Sequence, residues 1–207
     1  MTTRTTGRRI VTNIALSLDG RYARPDAPED MSWVMPYALT DVARDHLAGL
    51  WEPATTALLG RVNAEGFLGF WPTIIGAEGV DPRDEGFAKW LVGTEKVVLS
   101  STLGEVPAPW ERTTIVNKPT AEVAADLKAT EGGDVLVLAS AGVIKALLAA
   151  DAVDRLALTV FPVFLGGGPR LFEDGLPAAE WTLTAQSAGE HGALCLVYDR
   201  VRAGFAG

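Results

Sequence analysis

Val135-Leu136-Val137-Leu138-Ala139-Ser140-Ala141-Gly142-Val143-Ile144-Lys145-Ala146-Leu147-Leu148 is the stretch on which the fold turns. Its first four residues form an unbroken apolar run of strand length, as expected for a strand buried on both faces. Small residues follow at 139–142. Val143, Ile144, Leu147 and Leu148 then recur at the spacing of one helix face. The apolar composition extends from Val135 to Val153, long enough to suggest a membrane span. Lys145 and Asp151 interrupt it and Ser140-Ala141-Gly142 punctuates it, so a strand, a turn and a helix account for it better.

The same alternation runs outward in both directions. Upstream, strands are predicted over Ile10 to Leu16, Thr55 to Leu59, Glu95 to Leu99, Thr113 to Val116 and Asp134 to Leu138. Helices are predicted from a Thr40 N-cap to about Leu50, from Gly60-Arg61 toward Phe70, over Asp84 to Val92, near Thr120 to Thr130, and from Ser140 to Ala150. Downstream come a strand over Val153 to Phe161, the Gly166-Gly167-Gly168-Pro169 loop, and two strands at about 181–188 and 193–201 joined by a Gly189-to-Gly192 hairpin. Residues 21–39 hold three prolines and read as a long, lid-like loop. Strands alternating with helices predict an α/β fold: one three-layer domain with a mostly parallel sheet and a C-terminal antiparallel hairpin. No composition break divides it, so residues 8–203 are expected to form one domain after a polar, disordered N-terminus at 1–7. That terminus carries no apolar core of a secretory signal.

Composition narrows the function classes. With 48% hydrophobic and 21% charged residues, the chain has the material for a large core. A net charge of −8 and the absence of any basic cluster beyond Arg8-Arg9 argue against nucleic acid as a partner. The single cysteine, Cys195, excludes an intrachain disulfide and fits a reducing, cytoplasmic setting. With only His46 and His191 beside it, no metal site is expected, and neither histidine adjoins an evident nucleophile.

Three strand ends carry candidate chemistry, because ligands of open α/β sheets bind beyond the C-terminal ends of the strands. At Leu59-Gly60-Arg61, the glycine permits a tight turn into a helix and the arginine can pair bidentately with a phosphate, or can be a surface residue at a helix start. At Ser100-Ser101, hydroxyls can donate to a phosphate ester or cap a turn. At Ala139-Ser140-Ala141-Gly142, the amides opening a helix can face a pyrophosphate, or the small residues can be ordinary punctuation. The pattern is not G-x-G-x-x-G, so the dinucleotide fingerprint of a Rossmann fold is absent. The Gly166–Gly168 run lacks P-loop spacing and reads as a flexible turn bordering a site.

The order of these elements resembles the dihydrofolate reductase-like superfamily, specifically the C-terminal reductase domain of the bifunctional riboflavin-biosynthesis deaminase-reductase. The resemblance spans about residues 8–201. It rests on Ser17-Leu18-Asp19-Gly20, on Leu58-Leu59-Gly60-Arg61 with Glu65, on Val98-Leu99-Ser100-Ser101, and on Ala139 to Gly142 through Leu147-Leu148. Val153-Asp154, Phe161-Pro162 and Leu165 to Phe172 complete it. It implies an NADPH-dependent reductase acting on a small planar heterocycle, pterin-like or pyrimidine-like. Arg61, Ser100 and Ser101 would then hold the adenosine 2′-phosphate. Gly60 would open that site, and Ala139, Ser140, Ala141 and Gly142 would approach the pyrophosphate. Ser17, Asp19 and the loop after Phe161 would border nicotinamide and substrate. Asp41 would stand nearest to the acid that folate enzymes carry on their early helix, so Asp19 and Asp41 are the candidate catalytic residues. A homodimer is also implied, with the sheet edges and the apolar segment 156–165 as candidate contacts.

Two departures from the family pattern concern ligands. The riboflavin enzymes usually carry Glu-Gly-Gly where this chain has Leu138-Ala139-Ser140, which argues against the riboflavin pyrimidine as substrate. The usual Gly-Arg-x-Thr-Tyr-Glu reads Gly60-Arg61-Val62-Asn63-Ala64-Glu65. Among the tryptophans, Trp90 and Trp181 suit core positions, whereas Trp33 and Trp71 could line a pocket for a flat ring. The alternative to a reductase is a non-catalytic, dimeric nucleotide-binding member of the same fold.

Overall fold

The computed structural model describes residues 7–202. Eight strands form one sheet: β1 Ile10–Ser17, β2 Ala54–Gly60, β3 Glu95–Leu99, β4 Thr113–Val116, β5 Asp134–Leu138, β6 Arg155–Phe161, β7 Glu180–Ala188 and β8 Leu194–Val201. Six helices accompany them: α1 Met35–Ala38, α2 Asp41–Trp51, α3 Arg61–Phe70, α4 Pro82–Gly93, α5 Thr120–Lys128 and α6 Ala141–Ala149. The spatial order is β4-β3-β2-β5-β1-β6-β8-β7. β1 to β6 run parallel, while β8 pairs antiparallel with β6 and with β7. The predicted three-layer α/β architecture with an antiparallel C-terminal pair is the one observed.

The deciding stretch explains the centre of the sheet. All five β5 residues are buried, because helices cover both faces. On one face Val135 and Val137 join Val123 of α5 and Ile144 and Leu147 of α6. On the other, Leu136 and Leu138 join Leu50 of α2, Leu68 of α3, and Phe87 and Leu91 of α4. Thr40 caps α2, accepting a bond from the Ala43 amide, as its sequence position predicts.

Four expectations need correction. The loop at 21–39 contains α1, and its apolar residues Trp33 and Val34 are buried, so it is packed cover rather than an open lid. The segment 156–165 owes its apolar character to the interior. Leu156, Ala157, Leu158 and Phe161 are buried, and β6 lies between β1 and β8, so most of that segment has no surface to offer a partner. The Gly166–Gly168 run is clamped instead of flexible. Gly168 has φ +93°, and a Cβ there would stand 2.3 Å from the Ala23 carbonyl oxygen, so only glycine fits. The strand predicted from Val153 begins at Arg155, with Val153 buried in the turn before it. The expected disordered N-terminus falls mostly outside the described residues. Among those described, no helix is long and apolar enough to cross a membrane, and no cluster of His, Cys, Asp and Glu is placed to hold a metal.

His46, on α2, has its Nε2 buried without a partner. Burial pulls its imidazole down to about 4. The folded pKa lies below the unfolded one, so the unfolded chain binds the extra proton and stability falls as pH drops from 6.5 toward 4. Between pH 7 and 5, wild type is expected to lose about 2 kcal/mol more than His46→Phe. Urea melts of both proteins at the two pH values measure this, and parallel losses would contradict it.

Candidate active site at the strand ends

Because β1 to β6 are parallel, their C-terminal ends share one rim. At the β5 end, the Ser140 hydroxyl donates to the Leu138 carbonyl at 2.9 Å and accepts from the Gly60 amide at 2.9 Å. It therefore ties the end of β2 to the end of β5. The Ser140 side chain is buried and occupied, so any approach of this turn to a pyrophosphate falls to its backbone. The α6 amides offer more. The first i→i−4 bond in the helix runs from the Ile144 amide to the Ser140 carbonyl. The amides of Gly142 and Val143 precede it and have no helical acceptor. Gly142 is exposed, and a Cβ at that position would meet nothing within 4 Å.

Gly60 does not use the conformational freedom expected of it, and Ala139 adopts a conformation that favours glycine. Gly60 has φ −79° and ψ 159°, an extended conformation open to any residue. A Cβ there would lie 3.4 Å from Val143 Cγ2 and 3.8 Å from Ser140 Cβ, ordinary van der Waals contact, so space does not demand glycine either. Ala139 is the residue in the left-handed region, with φ +45°. Its amide donates to the Asn13 carbonyl at 2.9 Å, which ties the turn after β5 to β1. A methyl group in that conformation costs about 1–2 kcal/mol, partly offset by the greater chain entropy of glycine. Ala139→Gly is accordingly expected to stabilise the fold by about 0.5–1 kcal/mol. Guanidinium denaturation checks it, and a destabilised variant would contradict it.

Arg61 opens α3 directly after β2. It is exposed and paired with Glu65 at 3.0 Å. Ser100 follows β3, and its oxygen accepts from the Thr102 and Leu103 amides at 3.1 and 2.9 Å, a turn-capping arrangement. Ser101 beside it is exposed. The donor set along β2, β3 and β5 is therefore one guanidinium, one exposed hydroxyl and the first α6 amides, of which that of Gly142 belongs to an exposed residue. That chemistry fits a phosphorylated dinucleotide, with Arg61, Ser101, Gly142 and Val143 as the groups that would hold it.

At the β1 and β6 ends, Asp19 organises the loops. One carboxylate oxygen accepts from the Ser17 hydroxyl at 2.6 Å and the Leu165 amide at 3.1 Å. The other accepts from Arg21 Nε at 2.8 Å and the Gly166 amide at 3.1 Å. Burial works against the charge, but the bonds from Ser17, Leu165, Arg21 and Gly166 outweigh it and hold the carboxyl well below the usual range. Asp19 is therefore ionised at neutral pH and has no proton to give, which makes it a positioning residue. Arg21 completes the clamp by donating to the Gly168 carbonyl. The sequence reading missed Arg21, although its place two residues after Asp19 was visible.

Asp41 departs from its expected role as well. Its side chain is 80% exposed and pairs with Arg83 of α4, in a network that includes Asp45 and Asp81. Trp33 and Phe161 do come together, but against each other. Their ring centroids are 5.9 Å apart at 73°, and Tyr37 stacks on Phe161 at 4.8 Å. Ala193 and Val34 close this apolar cluster. The Trp33 Nε1 donor is buried there without a partner. Trp71 packs on Phe67, Phe70 and Phe87 instead of lining a pocket. A mainly apolar pocket of about 140 Å³, bordered by Leu148, Asp151, Val153, Phe172 and Trp181, lies toward the β6 start, at the opposite pole, with Asp151 as the one charged residue in its lining.

The family model of the RibD C-terminal domain matches residues 8–194. The chain belongs to that family. Comparison with curated proteins finds no match. Among solved structures, a putative riboflavin biosynthesis protein from Shewanella sp. PV-4 is similar at 23% identity and a TM-score of 0.72, covering 94% of this chain and 99% of that one. The Thermotoga maritima diaminohydroxyphosphoribosylaminopyrimidine deaminase/5-amino-6-(5-phosphoribosylamino)uracil reductase is similar at 13% identity and a TM-score of 0.62. There the match covers 94% of this chain and 57% of that one. Dihydrofolate reductase from Enterococcus faecalis, complexed with NADP(H), matches at 17% identity and a TM-score of 0.57 over 93% and 96% of the two chains. These likenesses show a dihydrofolate reductase-like fold for this RibD C-terminal domain.

Proposed function

We propose that this protein is a cytoplasmic NADPH-dependent reductase that delivers hydride to a small planar heterocycle, pterin-like or pyrimidine-like. Family membership supports a reductase role. The observation that carries the cofactor assignment is the row of strand ends, where Arg61, Ser101 and the first α6 amides line one rim. When bound, NADPH supplies the hydride. The protein's part is to position and to exclude water. Arg61 meets the 2′-phosphate, the amides of Gly142 and Val143 meet the pyrophosphate, and Asp19 holds the 165–168 loop beside β1. The Trp33–Phe161–Tyr37 cluster keeps water from the substrate end.

Neither candidate acid is available for proton transfer. Asp19 is held ionised, and Asp41 pairs with Arg83 at the surface. The proton for the reduced ring accordingly comes from a group other than these two carboxyls. The same observation favours a second reading, a nucleotide-binding member without turnover. Following NADPH oxidation at steady state against pterins, flavin precursors and quinone-like acceptors separates the two. The reductase reading expects turnover with at least one acceptor, and tight nucleotide binding with none turned over would favour the second.

The functional unit we propose is a homodimer. β7 is an unpaired edge nine residues long, exposed along most of its length and uncharged from Thr182 to Ala188. It lacks the lysines and prolines that usually protect such an edge. Sedimentation velocity is expected to give twice the chain mass, and a monomer mass would remove the proposal.

A further inference from the structure

We propose that the substrate is an uncharged flat ring without a phosphate, selected by Phe164 and Leu18, an inference that rests on the reductase reading above and names its substrate class. Ser17 and Phe161 are the last paired residues of β1 and β6, so Leu18 and Phe164 stand just beyond the strand ends. Phe164 is 77% exposed and Leu18 is 53% exposed. The backbone holds the two together. The Leu18 amide donates to the Val163 carbonyl at 2.9 Å, and the Leu165 amide donates to the Asp19 carboxylate at 3.1 Å. Phe164 is therefore pinned on both sides, while its neighbours Val163 and Leu165 pack against the Trp33–Phe161 cluster. A fixed backbone that keeps a phenylalanine in water forgoes the burial such a ring normally gains. Large apolar groups fixed side by side in solvent mark a surface that an apolar ligand covers.

Charge gives the class of ligand. Three segments meet at this end: 17–39, 161–170 and the hairpin at 189–193, whose Ala193 joins Trp33 and Phe161 in one cluster. Together they hold five carboxylates and three arginines, and residues 161–169 carry no charged side chain at all. Two of the arginines are occupied. Arg21 is held by Asp19 at 2.8 Å and by the Gly168 carbonyl, and Arg24 is held by Asp30 at 3.0 Å. The third, Arg170, is exposed. In a chain that carries −8 overall, a phosphate dianion needs cations that converge on it. One exposed arginine among five carboxylates does not provide them. An uncharged ring meets no such repulsion and gains by covering Phe164 and Leu18.

The test titrates the full chain calorimetrically, with and without NADP+, against two matched pairs of flat rings. One pair is 6,7-dimethylpterin and pterin-6-carboxylate; the other is riboflavin and its 5′-phosphate. The uncharged member of each pair is expected to bind at least about fivefold more tightly. Phe164→Lys is expected to weaken 6,7-dimethylpterin about 5–10-fold and to tighten pterin-6-carboxylate about threefold. Phe164→Leu, which keeps an apolar side chain, is expected to leave both within about twofold. Phe164 is exposed, so unchanged thermal melts show that the variants fold. A phenylalanine that meets only solvent moves neither value, and that result overturns its assignment. If NADP+ binds but the charged members bind as tightly as their partners, or no ring binds, the substrate class is overturned and the cofactor reading stands. If NADP+ does not bind while the uncharged rings are still preferred, the cofactor reading falls and the ring site stands. If Phe164→Lys turns a dimer into a monomer in sedimentation and leaves ring binding unchanged, the patch is a subunit contact and the proposal is overturned.

Discussion

Replacing Lys96 with methionine is expected to lower the unfolding free energy by about 3–5 kcal/mol, the scale of removing one partner from a buried charged contact. Lys96 is 2% exposed at the start of β3. Its ammonium donates to the carbonyls of Leu91, Val92 and Thr94 at 2.9, 3.0 and 2.8 Å. Those carbonyls lie in or just beyond the last turn of α4, where the helix dipole favours a cation. Burial, with Arg112 nearby, pulls Lys96 down to about 8, so it still carries its charge at neutral pH. Methionine keeps the length and most of the volume of the side chain. The loss therefore reports the three unpaired oxygens more than a cavity. Guanidinium denaturation at pH 7 is the measurement, and a change under about 1 kcal/mol would show that water satisfies those carbonyls.

Lys96 also marks a limit of what the sequence makes legible. The sequence predicts strand β3 from Glu95 to Leu99, and the strand lies there. A lone lysine inside that run reads as a surface residue until α4 is seen to end over it. Asp19 is similar. Its turn is visible at Ser17-Leu18-Asp19-Gly20, but two of its donors, the Leu165 and Gly166 amides, lie 146 and 147 residues away. Ser140 had a phosphate role suggested by its neighbours, yet its hydroxyl joins a residue 80 positions distant. Local periodicity locates strands and helices because it encodes which face is buried. It carries nothing about a side-chain bond across the fold. The loop at 21–39 failed for a different reason: its three prolines outweighed Trp33, Val34 and Tyr37, whose burial depends on Phe161 from the far end of the chain.

Arg61→Ala is expected to separate binding from stability. In the free protein Arg61 makes one exposed i,i+4 pair with Glu65. Losing it should cost no more than about 0.5 kcal/mol of stability. Against the 2′-phosphate, the same guanidinium would make charge-assisted, forked bonds worth about 1.5–3 kcal/mol, so NADPH is expected to bind roughly 10–150-fold more weakly to the variant. NADH, which lacks that phosphate, should bind variant and wild type alike. A parallel loss of both nucleotides would place Arg61 elsewhere than at the 2′-phosphate, and an unchanged NADPH affinity would leave it a surface residue.

The rim of strand ends was largely legible in advance, because Gly60-Arg61, Ser100-Ser101 and Ala139 to Gly142 each follow an apolar strand. The structure redistributes their work. Arg61 and Ser101 are exposed at the rim, Arg61 paired with Glu65, whereas the Ser140 hydroxyl is bonded to Leu138 and Gly60 and the donors near Gly142 are backbone amides.

The most direct test of the account is calorimetric titration of the wild-type protein with NADPH and, separately, with NADH. The rim of Arg61, Ser101 and the α6 amides predicts saturable NADPH binding and at least about tenfold weaker NADH binding. No saturable NADPH binding at millimolar concentration, or equal affinity for the two nucleotides, would contradict it.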